Sequence, residues 1–148
     1  LTALCRRCHE RTDAAWSRLP EVLRRVQRFV VEHQTEQSVA DLEVFILGHF
    51  ASGSPRLGLW VALLDDTIVA HLLASVEEAP RRVLVLQLAS DVPLGGLLRE
   101  GMREVEAWGR HVGATYLEFW TLRPATTRLW RRLAPVTKCI HRRPLHAA

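Results

Sequence analysis

The chain has 148 residues, 48% of them hydrophobic and 24% charged. That is the balance of one soluble globular domain spanning residues 1–148, not of a disordered, collagenous or coiled-coil chain, and no apolar run approaches the ~18 residues of a membrane span. The formal net charge of +4 is unevenly spread: residues 119–148 hold seven basic and no acidic residues, which leaves −3 (4 − 7) for residues 1–118.

In chain order, Leu1–Arg6 reads as a short first strand. Ala14–His33 follows as a helix, with Trp16, Leu19, Leu23, Val26, Phe29 and Val30 at steps of three and four. Pro20 lacks an N–H and breaks an interior turn, so the regular helix is expected from about Leu19, capped by Ser17. Ser38 caps a second helix whose apolar side carries Val39, Leu42, Phe45, Ile46 and Phe50, and Gly53-Ser54-Pro55 ends it. Leu57–Leu64 and Thr67–Glu77 read as a hairpin turning at Asp65-Asp66. Val83–Ala89, apolar on both faces, suits a central strand. Leu94–Val112 is helical, with Leu97, Leu98, Met102, Val105 and Trp108 inward and Gly113 as its stop. Ala114–Leu122 is a strand, Ala125–Leu133 a short helix, and Val136–His141 a last strand.

The order (β)-α-α-β-β-β-α-β-α-β predicts an α/β fold. Its mixed sheet has about six strands with helices on both faces, and the strand–helix–strand crossover pairs its strands in parallel. No internal repeat or low-complexity linker interrupts it.

Cysteines are few: Cys5, Cys8 and Cys139. An odd count in a chain with an ample core points to reduced thiols and a reducing, cytoplasmic setting. No charged region followed by an apolar one opens the chain, so no secretory signal is visible. Cys5-Arg-Arg-Cys8-His9 matches the pattern of c-type haem attachment. Cys5, Cys8, Cys139 and His141 would satisfy a tetrahedral zinc site if the chain ends met. Against both stands the plain reading of partly buried thiols, and no metal is expected. Trp60, Trp108, Trp120 and Trp130 invite base stacking but sit at spacings that suit a core. No Walker A, Rossmann or hydrolase-triad motif occurs.

The element order resembles the GNAT superfamily of acyl-CoA N-acyltransferases over most of the chain, best from Leu57 to His141. Leu59–Ala70 is similar to the family's hairpin with a short acidic turn. Leu97-Leu98 through Glu118 resembles its main helix, glycine stop and next strand, and Arg123–Leu133 its short helix. The resemblance implies a notch between splayed strands that takes acetyl-CoA, with the pyrophosphate on amides at the start of the main helix. The family pattern Q/R-x-x-G-x-G/A falls on Pro93, Gly96 and Leu98, of which Gly96 agrees. The cofactor residues implied are Leu88, Ala89, Ser90, Gly95 and Gly96. Asp91 beside them would repel phosphate. Trp130 stands where many members carry a proton-donating Tyr, and an indole N–H is no useful acid. Leu133-Ala134-Pro135 replaces the usual Leu-Gly-aromatic turn.

The implied activity is N-acylation of a small-molecule or protein amine. It needs a base, and His71 and Glu77 alternate onto one face of the return strand as candidates. The alternative is an inactive GNAT-like binding or structural protein, for example one associated with a phage virion. It would use Arg123, Arg128, Arg131, Arg132, Arg142 and Arg143 on an acidic protein surface or nucleic acid.

Overall fold

The computed structural model describes residues 4–7, 13–33, 38–52, 54, 56–93, 95–120, 136–137 and 140–145. Its elements are β1 (Leu4–Arg7), α1 (Asp13–His33), α2 (Val39–Ser52), β2 (Leu57–Leu64), β3 (Thr67–Glu77), β4 (Arg82–Ser90), α3 (Gly95–His111), β5 (Tyr116–Trp120), β6 (Val136–Thr137) and β7 (Ile140–Pro144). The strands form one sheet in the order β1-β2-β3-β4-β5-β7-β6. Every neighbouring pair is antiparallel except β4 and β5, the two that α3 connects. A crossover through a helix returns the chain in the same direction, so this pair is parallel as expected.

Two cores lie on opposite faces. Leu57, Leu59, Val61 and Leu73 meet the buried stripes of α1 (Leu19, Val22, Leu23, Val26, Val30) and α2 (Leu42, Ile46, Phe50). Trp60, Leu72, Ala74, Val76, Val83, Val85, Leu117 and Phe119 meet Met102, Val105 and Trp108 of α3. Strand alternation assigns each residue its face. Trp60 and Trp108 pack edge to face, their ring centroids 5.2 Å apart, the arrangement aromatic quadrupoles favour.

The hairpin turns where expected, with Asp65 and Asp66 at φ 47° and 62°. Asp tolerates this left-handed pair, which suits a two-residue turn. Arg18 of α1 ties the turn down, donating to Asp66 Oδ1 at 2.8 Å and to its carbonyl at 2.7 Å. Helix α2 begins as expected, the Asp41 amide donating to Ser38 Oγ. Helix α3 ends at Gly113, φ 75°. The Ala114 amide reaches the Gly109 carbonyl and the Gly113 amide the Arg110 carbonyl, at 2.8 and 3.1 Å; this is the paired closure of a Schellman cap.

Two sequence expectations need correction. Helix α1 starts at Asp13, not near Leu19, and runs through Pro20. Pro20 is exposed, so the hydrogen bond it removes lies on the solvent side while the buried stripe stays continuous. The single last strand is two, because the chain reverses between Thr137 and Ile140 and β6 pairs antiparallel with β7. The sheet therefore has seven strands. The expected helix Ala125–Leu133 lies outside the described residues.

Gly58 sits on the α3 face of β2 directly under the Trp60 indole, where an added Cβ would strike the ring, with Trp108 behind it. Both rings are buried. Gly58→Ala is expected to destabilise by about 2 kcal/mol through overpacking, read as a lower urea midpoint. Gly113→Ala is expected to cost about 1 kcal/mol by forcing a Cβ into the left-handed region.

Candidate functional site

The central strand carries one extra residue. Leu73 of β3 pairs with Gln87 and Ala74 with Val85, so Leu86 of β4 is a bulge. A bulge bends its strand and shifts the alternation by one. Val83 and Val85 point to α3, yet beyond the bulge it is Leu88 that packs on that side. Leu86 joins the α1 core. Gln87 faces α1 too, its Nε2 3.4 Å from the Val26 carbonyl.

The parallel ladder joins Val83–Val85 to Leu117–Phe119, and β4 continues to Ser90. Among the described residues Leu86–Ser90 has no β5 partner. Between β2, β3, β4 and the first turns of α3 lies an apolar recess lined by Trp60, Ala62, Ala70, Leu88, Leu97 and Gly101, among others.

The first turns of α3 supply Leu97, Leu98 and Gly101 to this recess. Gly95 and Gly96 are the helix's first residues and are exposed. A Cβ on either would meet nothing within 4 Å. Leu98, which departs from the family pattern, packs inward as its helical spacing predicts, against the Trp60–Trp108 core. Asp91 is turned to α1, its carboxylate accepting from Arg25 at 2.6 Å and from Arg28 at 3.4 Å. Arg25 holds the Asp91 carboxyl below the usual carboxylate range, opposed by some desolvation. Its amide donates to the Val69 carbonyl at 2.8 Å, at a second bulge where β3 carries Val69 extra against β2. The negative charge expected beside the helix start is thus paired with two guanidinium groups.

His71 and Glu77 share a strand face, but six residues separate them by about 20 Å. His71 pairs with Ala89 near the end of β4, level with the recess, whereas Glu77 pairs with Arg82 at the end where β4 pairs with β5. Glu77 Oε1 accepts from Ser75 Oγ at 2.8 Å. His71 is buried beneath α1, 2% exposed, with Phe29 edge-on. Its Nε2 is 3.0 Å from Gln87 Oε1. Because the Gln87 amide donates to Val26, its oxygen accepts from His71, which assigns the proton to Nε2. Nδ1 has no partner among the described residues. Burial pushes the His71 pKa down to about 4, against a smaller upward pull from Gln87.

Leu88 lines the recess with Leu97 and Leu98 of α3, Ala89 and Ser90 end β4, and Gly95 and Gly96 begin α3. The Ser90 hydroxyl is engaged locally, donating to the Val92 carbonyl at 2.7 Å. Sequence reasoning missed Gln87, Arg25 and Arg28. The signal for Gln87 was a lone amide in the apolar run Val83–Ala89. Buried Glu118, 3.5 Å from Arg82, was passed over for the same reason. Cys8, Cys139 and the arginines at 123, 128, 131 and 132 lie outside the described residues, and so do the side chains of Cys5, His141, Arg142 and Arg143. Among the described residues no group of three or more metal-ligating side chains forms, and no helix is long and apolar enough to cross a membrane.

No protein-family model and no curated protein matches the sequence. Solved structures do match the fold. A protein assigned as an acetyltransferase of the GNAT family from Desulfovibrio desulfuricans superposes with a TM-score of 0.72 at 19% identity, covering 98% of this chain and all of the other. A predicted acetyltransferase from Clostridium acetobutylicum, solved with acetyl-CoA, also gives 0.72, at 9% identity over 93% of this chain and 92% of its own. A GNAT-family acetyltransferase from Staphylococcus aureus gives 0.68 at 8% identity, over 98% of this chain and all of the other. The fold is the GNAT fold.

The buried imidazole makes stability pH-dependent. Its folded pKa of about 4 lies below the ordinary 6.5, so the unfolded chain binds the extra proton between these values and stability falls as pH drops through that window. The full loss is about 3 kcal/mol. His71→Gln is expected to flatten the stability profile between pH 6.5 and 4, measured by urea unfolding.

Proposed function

We propose that a chain with this fold is an acyl-CoA-dependent N-acyltransferase acting on a small-molecule or protein amine. The observation that carries the reading is the apolar recess between the Leu86-bulged end of β4 and α3, beside a helix start where a Cβ on Gly95 or Gly96 would meet nothing within 4 Å among the described residues. A structural neighbour solved with acetyl-CoA supports it.

The residues present fit such a cofactor. The first amides of a helix have no intrahelical acceptor and sit at the positive end of its dipole, which suits a pyrophosphate. Gly95 and Gly96 leave them open, and Arg25 and Arg28 neutralise Asp91 nearby. Leu88, Ala89 and Ser90, which have no β5 partner among the described residues, and the apolar recess lined by Leu88, Leu97 and Leu98 would hold the acyl arm. Acyl-CoA, when bound, supplies an activated thioester: the amine nitrogen bonds to its carbonyl carbon, the C–S bond breaks, and the amine proton ends on solvent or the leaving thiolate.

His71 serves by position. It is neutral above its low pKa, and its proton holds Gln87, which in turn holds α1 against the bulge. Such a group is a poor acceptor for an ammonium proton, so the amine arrives neutral. Glu77, at the joined end of β4 and β5, keeps its partnership with Ser75.

Acetyl-CoA is expected to raise the melting temperature, by about 2.7 kcal/mol of added stability at a hundredfold excess over Kd. Gly96→Val should abolish the shift while moving the melting temperature of the free protein little, since the position is open. No shift of the unmodified protein at millimolar acetyl-CoA overturns the proposal.

A further inference from the structure

Asp91 stands four residues before Gly95, the first residue of α3. Four residues span at most ~14 Å. At low salt the Debye length exceeds that, reaching ~30 Å at 0.01 M, so the Asp91 charge is felt at the helix start. Left alone it would oppose a diphosphate on those amides.

What offsets it comes from α1. Arg25 donates to Asp91 Oδ2 at 2.6 Å and to the Ile68 carbonyl at 3.1 Å. The Asp91 amide in turn donates to the Val69 carbonyl at 2.8 Å. One guanidinium thus joins α1, the Val69 bulge of β3 and the end of β4. Its side chain is only 10% exposed, so water screens the pair little. Arg28 is the lesser partner: it is 54% exposed, 3.4 Å from Asp91, and shared with Glu32 at 3.6 Å. Arg25, Arg28, Asp91 and Glu32 together carry no net charge. Without Arg25 the group carries −1.

We infer that Arg25 is a positioning residue for phosphate binding at the start of α3, an inference that rests on the acyl-CoA reading above. It acts through Asp91, cancelling the carboxylate's charge and fixing the chain that leads from β4 into α3. Charge and scaffold predict different things for paired substitutions. Arg25→Gln leaves the group at −1 and Asp91→Asn leaves it at +1. The double variant returns it to zero, the value in the unmodified protein.

Calorimetric titration with CoA, at low and at high salt, tests this. Asp91→Asn is expected to bind CoA most tightly and Arg25→Gln most weakly. The unmodified protein and the double variant should lie together between them, each step being about threefold at low salt and closing at high salt. Circular dichroism and melting establish that each variant is folded. Asp91→Asn keeps the shape of the side chain and carries the test alone if Arg25→Gln does not fold. A double variant as weak as Arg25→Gln or weaker, a gap that persists at high salt, or an Asp91→Asn variant that binds no more tightly than the unmodified protein overturns the inference and leaves the acyl-CoA reading standing. An unmodified protein that does not bind CoA overturns both.

Discussion

The extra residue at Leu86 is the constraint on which the rest of this molecule turns. A strand cannot gain one residue over its neighbour without bending and without swapping the faces of everything beyond. Here both consequences are used. The bend falls just past the three described positions that β4 pairs with β5, and the swap carries Gln87 to the α1 face and Leu88 to the α3 face. Had the alternation continued, Gln87 would lie in the apolar core beside Trp108, an amide with no partner, at a cost of a few kcal/mol.

The α1 face answers the bulge with polar contacts. Gln87 spans from His71 to the backbone of α1 at Val26. Arg25 reaches both the Ile68 carbonyl and Asp91, and Arg18 holds the hairpin turn. Arg25 and Arg18 thus reach backbone carbonyls beside the Val69 bulge and in the hairpin turn. Buried polar groups survive only when paired, so α1 is positioned by these contacts as well as by its apolar stripe. Among the buried atoms without a partner in the described residues, Nδ1 of His71 carries a lone pair in the neutral tautomer and no hydrogen, and protonating it is what acid must do.

The hairpin Leu57–Glu77 was legible because alternation and the Asp65-Asp66 turn are local signals, and β2 and β3 took the expected bounds. The same holds for the glycine stop of α3. Pro20 misled, because its effect depends on which side of α1 it occupies, and sequence does not say which side is wet. The reversal between β6 and β7 was missed because two residues are too few to show a period. Of the site, the glycines and the end of β4 were named from a family likeness. Gln87, Arg25 and Arg28 were not, since nothing local marks an arginine as bound 66 positions away.

The sequence by itself determined the element order from β1 to β5, the parallel crossover through α3 and the glycines at its start, because periodicity, caps and turns act over a few residues. Only the tertiary structure decided that β4 bulges at Leu86, that Asp91 belongs to α1, and that His71 is sealed under that helix while Glu77 stands at the joined end of the strands. These depend on register between strands distant in sequence. One inserted residue there changes which side of the sheet every later side chain meets, and composition and periodicity carry no trace of it.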